Sequence, residues 1–196
     1  MKKPDICNAE KMKYEPLNNK DMKKLLGLIT ALCFGLASLN AMSYEEARDR
    51  ARFLTDKMAY ELNLNDQQYN DAYEINLDYL MNIRTASDAS SVYLEYRNAD
   101  LRFILYDWQY ALFQAATYFF RPVIWRATGW FLPEYTIYSP SRFYYSPPRV
   151  YRVYRGGHYR YRHEHRQSFY AHRRPVWNGG LRGEHSGPLP GRPALP

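Results

Sequence analysis

Downstream of Ala41 the chain has no cysteine, because its two, Cys7 and Cys33, both lie upstream. A chain cut after Ala41 therefore has no disulfide and no thiolate metal site, and packing must carry its stability. Long apolar runs are equally scarce. Leu25–Ala37 is the longest, and nothing later approaches the roughly 20 residues of a membrane-spanning helix. With a mean hydropathy of −0.63, this excludes a polytopic membrane protein. Histidine is missing before His158, so a Ser–His or metal-hydrolase arrangement would have to borrow its imidazole from the C-terminal region. Four histidines there, His158, His163, His165 and His172, could ligate a metal. Their neighbours are mostly arginines, and Glu164 is the only nearby carboxylate, so no metal, cofactor or catalytic site is expected.

Aromatics, by contrast, are in excess: 17% of residues, with 20 tyrosines among 196 positions. Charge is also sorted along the chain. Residues 1–41 carry 7 basic and 4 acidic side chains, residues 42–120 carry 7 and 13, and residues 121–196 carry 13 and 3. An acidic body followed by a basic tail implies that the tail either folds back on the body or meets an external polyanion.

Met22-Lys23-Lys24, the apolar stretch Leu25–Ala37 and Ser38-Leu39-Asn40-Ala41 have the order of a charged n-region, an h-region and a cleavage site. Residues 22–41 are thus read as a signal peptide cleaved after Ala41, and residues 1–21 as an upstream over-extension or a long n-region. The alternative is an uncleaved anchor helix, for which 13 apolar residues are few. Cys33 inside the h-region, preceded by Leu32, does not suit a lipoprotein.

Residues 42–120 read as a helical domain. Ser43-Tyr44-Glu45-Glu46 has the form of a capping box, followed by Ala47, Ala51, Leu54, Met58 and Leu62 at helical spacing. Asn65 and Gln68 open a second helix with the stripe Tyr69, Tyr73, Leu77, Leu80 and Ile83. Ser87 or Asp88 is expected to cap a third, running from about 89 to Phe120 and stopped by Pro122. Its core stripe would be Leu101, Leu105, Trp108, Leu112, Ala115 and Phe119. A second stripe, Tyr96, Phe103, Tyr106, Tyr110, Phe113 and Phe120, falls on the opposite side, either covered by the segment that follows or offered to a client or a second copy. The carboxylates Asp49, Asp56, Glu61, Asp66, Asp71, Glu74 and Asp78 are placed on solvated helix faces.

Leu64-Asn65-Asp66-Gln67-Gln68 resembles the LTxxQ motif of the Spy/CpxP-like periplasmic proteins, with Asn at the capping position in place of Thr. Leu105-Tyr106-Asp107-Trp108-Gln109, 41 residues on, keeps the Leu and Gln of a second copy and loses the Thr. The resemblance covers residues 43–120. It implies a small all-helical exported protein acting without ATP as a chaperone or as a regulator of envelope stress sensing, commonly as a cradle-shaped dimer.

Residues 121–138 mix Arg121, Pro122, Trp125, Arg126, Trp130, Phe131 and Pro133, which suits a cap over the bundle or a membrane interface. From residue 139 the tail holds repeated Tyr-Arg pairs with Pro147-Pro148, Gly156-Gly157, Gly179-Gly180 and Gly187-Pro188-Leu189-Pro190, a composition expected to stay disordered. Arg149, Arg152, Arg155, Arg160, Arg162, Arg166, Arg173 and Arg174 could pair with phosphates or carboxylates while tyrosines stack on planar groups. Export argues against nucleic acid and favours lipopolysaccharide, anionic lipid or acidic wall polymers, unless the tail only solubilises. The expectation is an all-α protein: a three-helix hairpin-like body with a long third helix, an irregular aromatic segment and a disordered basic tail. Functionally it reads as a non-catalytic periplasmic binding protein for protein clients or a homodimer, or alternatively as a structural protein tethered to an anionic surface.

Overall fold

The computed structural model describes residues 18–20, 22–24, 41–127 and 129–183. The chain divides between Leu39 and Asn40 into two units. In the first, one helical turn is described, with the Met22 N–H donating to the Asn18 carbonyl at 3.0 Å. Most of the expected upstream extension, the apolar core of the expected signal peptide, both cysteines and residues 184–196 lie outside the described residues.

The second unit is mostly helical. Helix α1, Tyr44–Leu62, starts where the Ser43 side chain accepts the Glu46 N–H and ends at Asn63, which takes the left-handed conformation (φ 50°). Its stripe Ala47, Ala51, Leu54, Met58 and Leu62 is buried. Helix α2, Asp66–Asn82, begins with the full Asn65/Gln68 capping box and buries Tyr69, Tyr73, Leu77 and Leu80 against α1. A 3₁₀ turn, Ala86–Ser90, follows, in which Asp88 accepts the N–H groups of Arg84 and Thr85. The cap of the next helix is therefore Ser91, not Ser87 or Asp88, since Asp88 is engaged one turn earlier.

The expected long third helix is three helices: α3, Val92–Ile104; α4, Asp107–Ala115; and α5, Thr117–Phe120. The second motif causes the first break. Leu105 leaves the helical region (ψ 146°), and the Gln109 side chain turns back to accept the Tyr106 N–H at 3.0 Å, opening a new helix. The break resets the helical phase, so the two long stripes do not exist. Trp108 and Ala115, placed in the core by spacing, are exposed, whereas Phe113 from the opposite stripe is fully buried.

Arg97 on α3 is also fully buried and ties the helices together. Its guanidinium donates to Asn76 on α2 (2.8 Å), to Asn98 (3.0 Å) and to the Phe119 carbonyl on α5 (2.9 Å). Beyond Pro122 a two-stranded antiparallel hairpin, β1 (Ile124–Arg126) with β2 (Gly129–Phe131), and a 3₁₀ turn, Pro133–Thr136, lie on the bundle. Val123, Trp130 and Leu132 are buried there, and Tyr135 packs on Phe53 with ring centroids 4.8 Å apart.

The tail is not disordered where it is described. Residues 139–183 run along the body through a 3₁₀ turn, Arg149–Arg152, and helix α6, His158–His165. Tyrosine does what aliphatic side chains do in ordinary cores. Tyr159 and Tyr170 are buried, and Tyr144 stacks on Tyr60 at 3.9 Å. This packing also overturns the solvated-face reading of the carboxylates. Asp56, Glu61, Asp71 and Asp78 are buried and Glu74 half-buried, while only Asp49 and Asp66 of that set stay exposed.

Candidate functional site

The two motifs meet. Gln68 Nε2 donates to the Ile104 carbonyl (2.8 Å), and Gln109 Nε2 to the carbonyls of Leu62 (3.1 Å) and Asn63 (3.3 Å). Each glutamine thus binds the helix end that precedes the other's motif. Their carboxamides also pair, Gln68 Nε2 and Gln109 Oε1 being 2.7 Å apart. Leu64 and Leu105 are buried beside them. Helix carbonyls left unpaired at a C-terminus need partners when buried, and here two side chains supply them. Tyr106 offers no side-chain acceptor to the first turn of α4, so the second motif has only the return half of a capping box.

The end of the tail lies on this junction. The Leu181 N–H donates to the Leu64 carbonyl (2.8 Å), the Arg182 N–H to Asn63 Oδ1 (3.0 Å), and Asn65 Nδ2 to the Val176 carbonyl (3.2 Å). Gly180 approaches so closely that a Cβ there would collide with the Asn63 carboxamide. Trp177 is placed over the second motif, edge-on to Tyr106 (5.8 Å) and to Trp108 (6.0 Å). Both indoles remain open to solvent, Trp108 at 46% and Trp177 at 43%. Of the six residues expected to form an aromatic client face, only Phe103 is exposed (39%). Tyr96, Tyr106, Tyr110 and Phe120 are half-buried and Phe113 is core. Sequence reasoning missed Trp177 entirely and placed Trp108 in the core; the Tyr106-x-x-Gln109 return cap was the signal that could have corrected the second.

A second cluster lies where the tail covers α2 and α3. Asp71, Glu74 and Asp78 follow one another along α2. Asp78 accepts the N–H groups of Gly157 (3.0 Å) and His158 (3.2 Å) at the start of α6, and the Tyr154 hydroxyl (2.7 Å). The Tyr170 hydroxyl donates to Glu74 (3.0 Å), so the His158 Nδ1–H donates to Tyr170 Oη (2.7 Å). Arg173 pairs with Asp71 (3.2 Å), and Arg162 with Asp100, which also accepts the Ser168 hydroxyl. Burial dominates the titration of this cluster. It pushes Glu74 up to about 7 and Asp71 and Asp100 to about 6, and it lowers His158 to about 4, helped by Arg173. At neutral pH His158 is therefore an uncharged hydrogen-bonding group, although Glu74 and Asp78 lie within 4 Å.

The eight arginines expected to bind polyanions divide. Arg149, Arg162 and Arg173 pair with Asp66, Asp100 and Asp71 of the body. Arg155 lies over the Tyr44 ring at 4.7 Å. Arg152, Arg160, Arg166 and Arg174 are exposed, with no ion pair among the described residues. Among the described residues no three His, Cys, Asp or Glu side chains converge as a metal-binding group, and no helix is long and apolar enough to cross a membrane. No known family model, curated protein or solved structure matches the chain.

Proposed function

We propose that this chain is an exported, non-catalytic binding protein of the periplasm, chaperone-like, that meets partly unfolded clients at the end of the bundle where the two motifs join. The observation that carries this reading is the exposed indole pair Trp108 and Trp177, 6.0 Å apart, with the exposed Val176 beside it. Large exposed aromatics held by a rigid frame favour apolar contact with a partner. The resemblance of Leu64–Gln68 and Leu105–Gln109 to LTxxQ motifs supports the same reading, since both motifs build that frame.

The test compares mature chain Met42–Pro196 with its Trp108→Ser/Trp177→Ser variant in suppressing the aggregation of reduced α-lactalbumin. The parent should suppress it at near-equimolar ratio, and the variant should need at least severalfold more protein. Equal potency, or no suppression by the parent, sinks the client reading. Export is tested by the mass of the chain recovered from the producing cell's envelope, which should begin at Met42.

A further inference from the structure

Docking of the tail sorts its cations by direction. The turn Arg149–Arg152 sends the Tyr151 hydroxyl to Asp49 (2.7 Å), and the next turn sends the Tyr154 hydroxyl to Asp78 (2.7 Å). Arg152 and Val153, between these two anchors, face out; Val153 is 71% exposed. Helix α6 then buries Tyr159 and engages Arg162, leaving Arg160, Glu164 and His165 exposed.

Two open concavities flank this helix. One is bounded by Arg155, Gly156, Gly157, Tyr159 and Arg160, with Asp78 at its floor already capped by backbone N–H groups. The other is bounded by Tyr96, Arg162, His163 and Arg166. Along the outer side of the helix the rings form a row: His158 on Phe169 (3.8 Å), Phe169 edge-on to Tyr161 (5.5 Å), Tyr161 on His165 (4.0 Å). Phe169 in that row is 41% exposed.

We propose that helix α6 with its flanking segments, from Arg152 to Phe169, is a docking face for an anionic lipid surface. Arg152, Arg155, Arg160 and Arg166 are exposed cations against a single exposed acid on the helix, Glu164. Guanidinium forks suit phosphodiester headgroups, and the concavity at Tyr96, Arg162, His163 and Arg166 offers one such group the exposed Arg166, beside Arg162 that Asp100 already neutralises. Val153 and Phe169 give the face apolar side chains to seat between headgroups. A soluble polyanion would use the cations and leave those two side chains in water, so charge and apolar exposure together select a bilayer. This inference is independent of client binding at the indole pair.

The test is co-sedimentation of mature chain with vesicles of phosphatidylcholine, with and without phosphatidylglycerol, at low and high salt. Binding should require phosphatidylglycerol and fall with salt. The Arg152→Gln/Arg160→Gln variant should bind about 25-fold more weakly, at roughly fivefold per cation. Val153→Ser should weaken binding at every salt concentration. The matched control Arg84→Gln/Arg121→Gln, which removes two exposed cations elsewhere, should bind as the parent does. The inference is overturned by absent vesicle binding, by equal loss in the control, or by inorganic phosphate or heparin competing fully while Val153→Ser has no effect. That last pattern would assign the cations to a soluble anion.

Discussion

Lys57 is fully buried, and its surroundings show what a buried ammonium needs. It donates to Asp56 (2.8 Å) and to the Arg142 carbonyl, with the rings of Phe53 and Tyr144 within 5 Å. Burial still lowers its pKa. Asp56 in turn accepts the N–H groups of Tyr144 (3.0 Å) and Tyr145 (2.9 Å), so one carboxylate fixes both the cation and the incoming tail. Asp56→Ala should therefore cost about 3–5 kcal/mol in urea unfolding. The double change Asp56→Leu/Lys57→Met should cost clearly less, because it leaves no unpaired charge; a double variant as weak as the single would contradict the pairing. Gln68→Ala strips the return cap and the Ile104 carbonyl partner together and should cost about 2–4 kcal/mol by the same measurement. The Gln68 cap was legible in the sequence, but its Ile104 partner and the Asp56 pairing were not. Asp56 sits at a spacing indistinguishable from that of an exposed acid, and only a partner 88 residues away decides its burial.

At the scale of elements, what could be read was what is local. The starts of α1 and α2 follow from Ser43 with Glu46 and Asn65 with Gln68, and their stripes bury as spaced. Helix α3 was read through its own end because Leu101, Leu105 and Leu112 continue a period that the Gln109 return cap interrupts. Tail order was missed for a different reason. Composition rules equate few aliphatics with no core, yet here tyrosines supply both the packed ring and the hydroxyl that satisfies a carboxylate of the body, as Tyr154 does for Asp78 and Tyr170 for Glu74. The tail's last contact is testable on its own. Gly180→Val should push residues 176–183 off the Asn63 carboxamide and cost about 1–3 kcal/mol. Amide exchange should quicken at Leu181 and Arg182 and stay slow in α2; unchanged protection at Leu181 would show that the close approach is not a constraint.

Over the whole molecule the raised carboxylates set an unusual pH profile. Burial pushes Glu134 up to about 8, against its own backbone N–H and the Arg97 charge, which favour the ionised form. Glu74, Asp71 and Asp100 are raised to about 7, 6 and 6. A group whose folded pKa exceeds its unfolded one holds its proton longer in the native state, so its contribution is complete below the unfolded value and is lost as pH rises through the folded one. His158, lowered to about 4, acts oppositely: its contribution is present above 6.5 and lost as pH falls toward 4. Between about pH 4.5 and 6 four raised carboxylates outweigh one lowered imidazole, so thermal midpoints should be highest near pH 4 to 4.5 and fall from there toward pH 8.5. Glu134→Gln should flatten the alkaline side; a midpoint still rising from pH 6 to 8.5 would refute the assignment.

The closure of the tail over α1–α3 also bears on how the protein is made. Asp56, Asp71 and Asn63 find their partners 88, 102 and 119 residues later in the chain. During synthesis the helical body emerges first with those groups still hydrated, and its last partners arrive only when Arg173 and Arg182 have followed. Closure of the body must then wait for the tail, and such long sequence separations slow it. A message truncated late, even past residue 170, would yield a chain with its helices made and its seam open, which is the form that quality-control proteases recognise.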